Sequence, residues 1–253
     1  MQKAFTILEK TLKAECSRGP VFYFSNPGNW GDGLIRYGTL KFFQDINLHY
    51  KELKSAKKKE WLLPFLRGGS VIYGGGGAWC KLWNHSERLV TRLNRRFKVI
   101  VLPSSYELIC SIPNVIFFCR DMFESKQNKP DAIFCHDMGF YIGKQFSQKD
   151  RGQGTGYFFR GDKEGIVDKT KIPLLNNDIS SKGNQFSEIS PFIEEINRFS
   201  MIYTDRLHVA IAACLLEKEV HLYPGAYFKN RAVYLSSIKD YFDNVYFHEG
   251  FDL

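Results

Sequence analysis

The feature that most limits what this chain can fold into is an alternation. Short apolar runs bounded by turn residues take turns with longer amphipathic stretches. The runs are "VFYFS" (21–25), "SVIYGGGG" (70–77), "KVIVLP" (98–103), "NVIFFCRD" (114–121), "DAIFCHDM" (131–138), "YFFRGD" (157–162), "SMIY" (200–203) and "EVHLYP" (219–224). Such runs read as buried strands. Between them "LIRYGTLKFFQDI" (34–46), "LWNHSERLVTRLNRRF" (82–97), "SPFIEEINRF" (190–199) and "FKNRAVYLSSIK" (228–239) read as helices. Alternating strands and helices predict an α/β fold with parallel sheets covered on both faces.

The polar, glycine-bearing stretch "KQFSQKDRGQGTG" (144–156) interrupts the pattern and reads as a linker. It divides the chain into an expected domain at 1–145 and a second at 146–253, with a cleft between two α/β halves. Hydrophobic residues make up 44% and aromatics 15%, enough for large cores and too much for disorder. The cysteines at 16, 80, 110, 119, 135 and 214 form no CxxC pair, and several sit inside apolar runs. They read as buried free thiols of a reducing compartment, not as a disulfide frame or a metal site. No signal peptide or spanning stretch is evident, so a cytoplasmic location is expected.

The net charge of +8 favours anionic partners. The run "KELKSAKKKE" (51–60) reads first as a solvated face and second as a contact with the inner face of the plasma membrane. Neither RNA-binding aromatics nor zinc-finger spacing occurs, which argues against nucleic acid.

Asn29, Asp32, the glycines at 74–77, Ser104, Arg120, Asp137, Arg160, Asp205 and Tyr227 all follow predicted strands. Ligands bind outside the carboxyl ends of strands in open α/β sheets. "GGGGAW" (74–79) reads either as a backbone cradle for an anion leading into a helix or as a tight crossing. Asp32 in "NPGNWGDG" reads as a helix cap or as a carboxylate aimed at a ligand hydroxyl. In "TDRLHVAIAACLLEK" (204–218), Thr204 or Asp205 is the expected cap, which puts Arg206 and His208 in the first helical turn. Cations are unfavourable there, so an anionic ligand is the simplest reason for both. Lys229, Asn230 and Arg231 repeat that mismatch at the next helix start.

Taken in order, "GNWGDGLI" (28–35), "IYGGGGAW" (72–79), "VLPSS" (101–105), "CRDMFES" (119–125), "PDAIFCHDMGF" (130–140), "YFFRGDKE" (157–164), "IYTDRLHVAIAACLLEKEVHLYP" (202–224) and "YFKNRAVY" (227–234) resemble the polysaccharide pyruvyl transferase family. The resemblance implies two facing Rossmann-like domains with a central cleft, as in GT-B-like glycosyltransferases, with the acceptor on the first and the donor on the second. It implies transfer of the pyruvyl group of phosphoenolpyruvate onto a sugar as a cyclic ketal, with release of phosphate and no bound cofactor or metal. The acceptor would be a saccharide of a polysaccharide repeat, free or polyprenyl-diphosphate-linked. His208, Asp32 and Arg206 are then the expected catalytic residues. Arg206, Arg160, Arg120, Gly75, Gly76, Lys229 and Asn230 would hold the donor, and Asn29, Asp32 and Trp79 the acceptor. The family commonly has Gln after "LP", where this chain has Ser104. A GT-B-type glycosyltransferase using a nucleotide sugar is the competing expectation.

Overall fold

The structure is a computed structural model that describes residues 1–54, 68–146 and 152–251. The lysines of the 55–60 stretch, and with them most of the expected membrane-contacting run, lie outside the described residues, as does part of the 144–156 linker. The fold is mixed α/β with parallel sheets, organised as two compact units. One unit comprises Met1–Asn26 and Thr39–Met138, the other Pro27–Gly38 and Gly139–Leu253. The chain passes from the first unit to the second after Met138, and residues 27–38 also group with the second.

In the first unit, strands β1 (Val21–Phe24), β2 (Lys51–Glu52), β3 (Ser70–Tyr73), β4 (Gly76–Trp79), β5 (Lys98–Tyr106), β6 (Val115–Cys119) and β7 (Ile133–Phe134) form a parallel sheet. Its order is β2-β1-β3-β5-β6-β7, with β4 pairing to β5. The central strands are buried along their length, which is why they read as unbroken apolar runs. Helix α1 (Gln2–Glu15) buries Ala4, Phe5, Leu8 and Leu12 at helical spacing, and α3 (His85–Asn94) buries Ser86, Val90 and Leu93. Helix α2 (Trp30–Asp45) lies between them in sequence, and the short α4 (Glu124–Asn128) follows β6. The core gathers Phe22, Tyr73, Trp79, Tyr106 and Phe117.

Two sequence expectations change here. "GGGGAW" does not lead into a helix: Gly76–Trp79 is strand β4, and the next described helix starts at His85. A Cβ on Gly74 would stand 2.6 Å from the backbone N of Asn26, one on Gly75 would overlap the Pro103 carbonyl, and Gly76 has φ +126°. These glycines serve close strand packing, and no helix dipole stands behind Gly75 and Gly76. Trp79, expected to meet a sugar, is buried against Tyr73, Tyr106 and Phe117 with ring centroids 5.6–6.4 Å away.

The second unit has β8 (Thr155–Phe158), β9 (Met201–Thr204), β10 (Glu219–Leu222) and β11 (Val245–Phe247), all parallel, in the order β11-β10-β9-β8. Burial alternates along β8, β9 and β10, so one face is core and the other stays half-buried. The expectation of a sheet covered on both faces fails in this unit. Tyr157, Tyr203, His221 and Tyr246 stand in one register row across the half-buried face. Tyr203 and His221 stack at 4.3 Å and 5°, so the rings shield one another edge-on to solvent. On the core side, α5 (Ser190–Asn197) contributes Phe192 and Ile193, and α6 (Leu207–Leu215) is buried along nearly its whole length.

Because Trp79 is a core residue, Trp79→Ala should cost about 3–5 kcal/mol of stability in urea unfolding. Trp79→Phe should recover most of it. A stable Trp79→Ala protein would show that the ring is not structural.

Candidate functional site

The charged residues of the second unit gather at the carboxyl ends of β8, β9 and β10. Arg160 follows β8, Asp205 and Arg206 follow β9, and Lys229 and Asn230 start helix α7 (Lys229–Val233) after β10. Thr204 Oγ1 fixes the turn after β9: it donates to the Phe158 carbonyl at 2.8 Å and accepts the Arg206 N–H at 2.9 Å. Helix α6 therefore begins at Leu207, with Arg206 at its cap position rather than inside its first turn. Neither Thr204 nor Asp205 is the cap.

The cations are matched by carboxylates of the same unit. Arg206 grips Asp178 in a two-pronged bond, Nε to Oδ1 at 2.9 Å and Nη2 to Oδ2 at 2.7 Å, and its Nη1 lies 2.9 Å from Asp162 Oδ2. Asp162 also receives Arg160 Nε at 2.8 Å, and Arg160 Nη1 reaches Glu164 Oε2 at 2.5 Å. Lys229 Nζ meets that same Glu164 oxygen at 2.7 Å. The result is a row of alternating charge: Lys229, Glu164, Arg160, Asp162, Arg206, Asp178. Cations at a helix start thus have partners in the protein itself, and an anionic ligand is not needed to explain them. Burial favours the neutral form of Asp162, but the bond and charge of Arg160, with Arg206, hold its carboxyl below its ordinary value. Burial disfavours the Arg160 cation, and Glu164 and Asp162 more than offset this.

Under this row sits Asp205, fully buried. Its Oδ1 accepts the Arg160 backbone N–H at 2.8 Å, whereas its buried Oδ2 has no hydrogen-bond partner. Burial pushes its carboxyl up from 3.8 to about 6, against the pull of the Arg160 N–H and the Arg160 and Arg206 charges. Asn230 donates Nδ2 to the carbonyls of Asp205 and Tyr223 at 2.7 and 2.8 Å, which ties β9 to β10. Its own Oδ1, also buried, has no partner. Two buried acceptors therefore lie among the cations.

Residues 27–33 belong to this unit through Trp30, whose Nε1 donates to the Glu188 carbonyl at 2.8 Å and whose ring lies 5.7 Å from Phe192. Asn29 Oδ1 accepts the Gly31 N–H at 2.8 Å, and Asp32 Oδ2 accepts the Asn29 N–H at 3.0 Å. This reciprocal pair is a capping box for α2. Asp32 is thus a helix-start residue three positions in, and Asn29 is the cap. The turn presses on His208: a Cβ at Gly31 would come within 2.6 Å of His208 Nδ1. Asn29 and Gly31 thereby come beside His208, with Asp32 held on the same turn, in the second unit rather than the first domain where Asn29 and Asp32 were expected.

Arg120 and Ser104 belong to the first unit. Arg120 is fully buried in the first unit, with Nη1 on Asp137 Oδ2 at 2.7 Å and Nε on Ser105 Oγ at 2.9 Å. Ser104 is buried and donates to the carbonyl of Leu102 at 2.9 Å. The six cysteines are free and buried. Among the described residues, no group of His, Cys, Asp or Glu is arranged to hold a metal ion, and no helix is long and apolar enough to cross a membrane. Sequence reasoning missed Asp162, Glu164, Asp178 and Gly31. Asp162 and Glu164 were readable two and four residues after Arg160 in "RGDKE"; nothing local marks Asp178 as the partner of Arg206.

A family model for polysaccharide pyruvyl transferase matches residues 29–224. The crystal structure of a functionally uncharacterized protein from Klebsiella pneumoniae is similar, with a TM-score of 0.82 at 26% identity over 99% of this chain and 100% of that one. Among curated proteins, none matches the chain.

Asp205 yields a pH prediction. The folded state holds its proton to higher pH than the unfolded chain does. Its contribution is therefore most favourable below the ordinary carboxylate value and is lost as pH rises through about 6. Asp205→Asn keeps an oxygen for the Arg160 N–H and removes the titration. Relative to wild type, its stability should gain about 2.5 kcal/mol between about pH 4 and about pH 8. Denaturant unfolding at the two pH values measures this, and a pH-independent difference would contradict it.

Proposed function

The chain belongs to the polysaccharide pyruvyl transferase family, and on that premise we propose that it moves the pyruvyl group of phosphoenolpyruvate onto a sugar as a cyclic ketal, with the second unit carrying the donor. The observation that carries this reading is the meeting of the 27–33 turn with His208 beside the row of cations at three adjacent strand ends. The donor brings a phosphate and a carboxylate. Both suit Arg206, Arg160 and Lys229, whose charges are held in place by Asp178, Asp162 and Glu164. An arriving anion exchanges for part of these carboxylate contacts, with the more exposed Asp162 and Asp178 nearest the solvent. Arginine's planar fork suits both anionic groups.

In the proposed reaction His208 gives a proton to the methylene carbon, which makes C2 electrophilic. A sugar hydroxyl then adds to C2, with Asp32 near the Asn29 turn accepting its proton. The C2–O bond to phosphate breaks, and a second hydroxyl closes the ketal on C2 while its proton passes to His208, which gave one up in the first step. Arg206 and Arg160 would stabilise the charge that collects on the departing phosphate. We extend the proposal to a polysaccharide-repeat acceptor, free or polyprenyl-diphosphate-linked. Arg120, Gly75 and Gly76 belong to the first unit, and the proposal rests on residues of the second alone.

The test is ketal formation, read as the mass of the pyruvyl adduct with phosphoenolpyruvate and a panel of galactose- and mannose-type acceptors. His208→Ala and Arg206→Ala should each lower turnover by about 10²–10³ while the proteins stay folded. A nucleotide-sugar glycosyltransferase would instead be stabilised against heat by a nucleoside diphosphate and not by phosphoenolpyruvate. Near wild-type turnover in both variants would remove these residues from the chemistry.

A further inference from the structure

One end of the first unit's sheet carries exposed apolar side chains on three neighbouring loops. Trp83 follows β4, Ile109 follows β5, and Met122 and Phe123 follow β6; all are exposed, Ile109 by 84%. The loops are stitched together. The backbone N–H groups of Glu107 and Leu108 donate to the Trp79 carbonyl at 3.1 and 3.3 Å, and Lys81 N–H donates to Glu107 Oε2 at 2.9 Å. On the other side Asn128 Nδ2 donates to the carbonyls of Tyr106 and Glu107 at 2.9 and 3.3 Å. These apolar groups are therefore held out on braced loops, not on loose ends. Clustered exposure of this kind marks a surface that meets something apolar.

A strongly basic helix, α3, starts at this end and runs to the opposite one, because it joins β4 to the start of the parallel β5; Arg88 lies nearest the apolar loops, and the Arg96 carbonyl receives the Gly68 N–H just before β3. Arg88, Arg92 and Arg96 follow one another at spacing four along and just beyond α3, with Arg95 beside them, all exposed. Like charges at that spacing work against the helix. The dipole at the carboxyl end favours Arg92, Arg95 and Arg96, but it disfavours Arg88 in the first turn. Among the described residues none of the four is in an ion pair. Arg88, Arg92 and Arg95 line an open depression with Glu87 and Thr91. Internal packing accounts for the apolar face of this helix and leaves the arginine face without a function.

We propose that these loops and the half of α3 nearest them dock the protein on an anionic lipid surface, with Trp83, Ile109, Met122 and Phe123 entering the headgroup boundary and Arg88 and Arg92 meeting lipid phosphates. Basic residues beside an apolar, tryptophan-bearing edge suit that interface, where apolar burial and attraction to anionic headgroups add. A nucleic acid would use the cations but leave the apolar loops in water; a protein partner apolar enough for the loops would not need Arg88 and Arg92 held outward beside them. The surface is distinct from the 51–60 lysine run and does not depend on the reaction proposed above.

The experiment is co-sedimentation of the full chain with vesicles of phosphatidylcholine alone or mixed with phosphatidylglycerol. Binding should occur only with the anionic mixture and weaken as salt is raised. Arg88→Ser with Arg92→Ser should weaken it by roughly twenty- to thirty-fold, since each cation near the surface contributes roughly fivefold. Ile109→Ser, at a site too exposed to affect folding, should weaken it at constant charge. Three results would each overturn the proposal: equal binding to both vesicle types, full binding by the arginine and Ile109 variants, or tighter binding to duplex DNA than to anionic vesicles. So would loss of binding that follows neutralisation of Lys57, Lys58 and Lys59 but not of the arginines.

Discussion

The second unit is organised around one electrostatic constraint. Three cations and three carboxylates must share the carboxyl end of a small parallel sheet, with Arg160, Arg206 and Glu164 buried, Lys229 nearly so, and Asp162 and Asp178 at the wetter edge. Removing Arg206 would take from Asp178 its two-pronged partner and from Asp162 one of its two, so stability would fall. The row Lys229, Glu164, Arg160, Asp162, Arg206, Asp178 meets the constraint by alternation. Each of its links joins different stretches of chain or closes a tight turn, so the row also sets the loops after β8, β9 and β10. Asp205 and Asn230 then brace it from below through backbone contacts.

Matched charge of this kind changes how anion binding is understood. An unoccupied cluster of cations would bind any small anion. A row whose cations already hold carboxylates discriminates, because a ligand must offer enough anionic oxygens in the right places to displace them. Phosphoenolpyruvate offers a carboxylate and a phosphate on one small, rigid frame. Inorganic phosphate or a simple carboxylate offers less. The residual cost lies in Asp205, whose buried Oδ2 lacks a partner and whose carboxyl is pushed up to about 6. A protein retaining such a group at a strand end sacrifices stability there, as functional sites commonly do.

Much of this was legible in the sequence, and the failures have physical reasons. Buried parallel strands have no polar face, so "VFYF", "SVIY" and "KVIVL" announced themselves. The helix after "TDRLH" did too, because "VAIAACL" is apolar on every side. Strand β4 was hidden because Gly76 and Gly77 carry no side-chain pattern; only the strand beside it determines their conformation. Trp79 looked like a platform for a sugar because sequence cannot tell which side of a strand its ring faces. The capping box at Asn29 and Asp32 was visible as spacing, yet the pairing of Gly31 with His208 joins residues 177 positions apart. The half-covered second sheet could have been anticipated: Tyr157, Tyr203 and His221 alternate with Phe158, Thr204 and Leu222, and such alternation belongs to a sheet with one wetter face.

The central claim is that the alternating row accepts an enol phosphate by exchanging carboxylates for the ligand. Calorimetric titration of phosphoenolpyruvate into the wild-type protein and into Arg206→Ala and Asp178→Asn variants tests it most directly. The account predicts saturable binding to wild type, loss of binding in Arg206→Ala, and binding by Asp178→Asn that is altered but retained, since the displaced carboxylate is not itself a ligand contact. Equal binding by wild type and Arg206→Ala, or none by either while a nucleoside diphosphate binds, would contradict it.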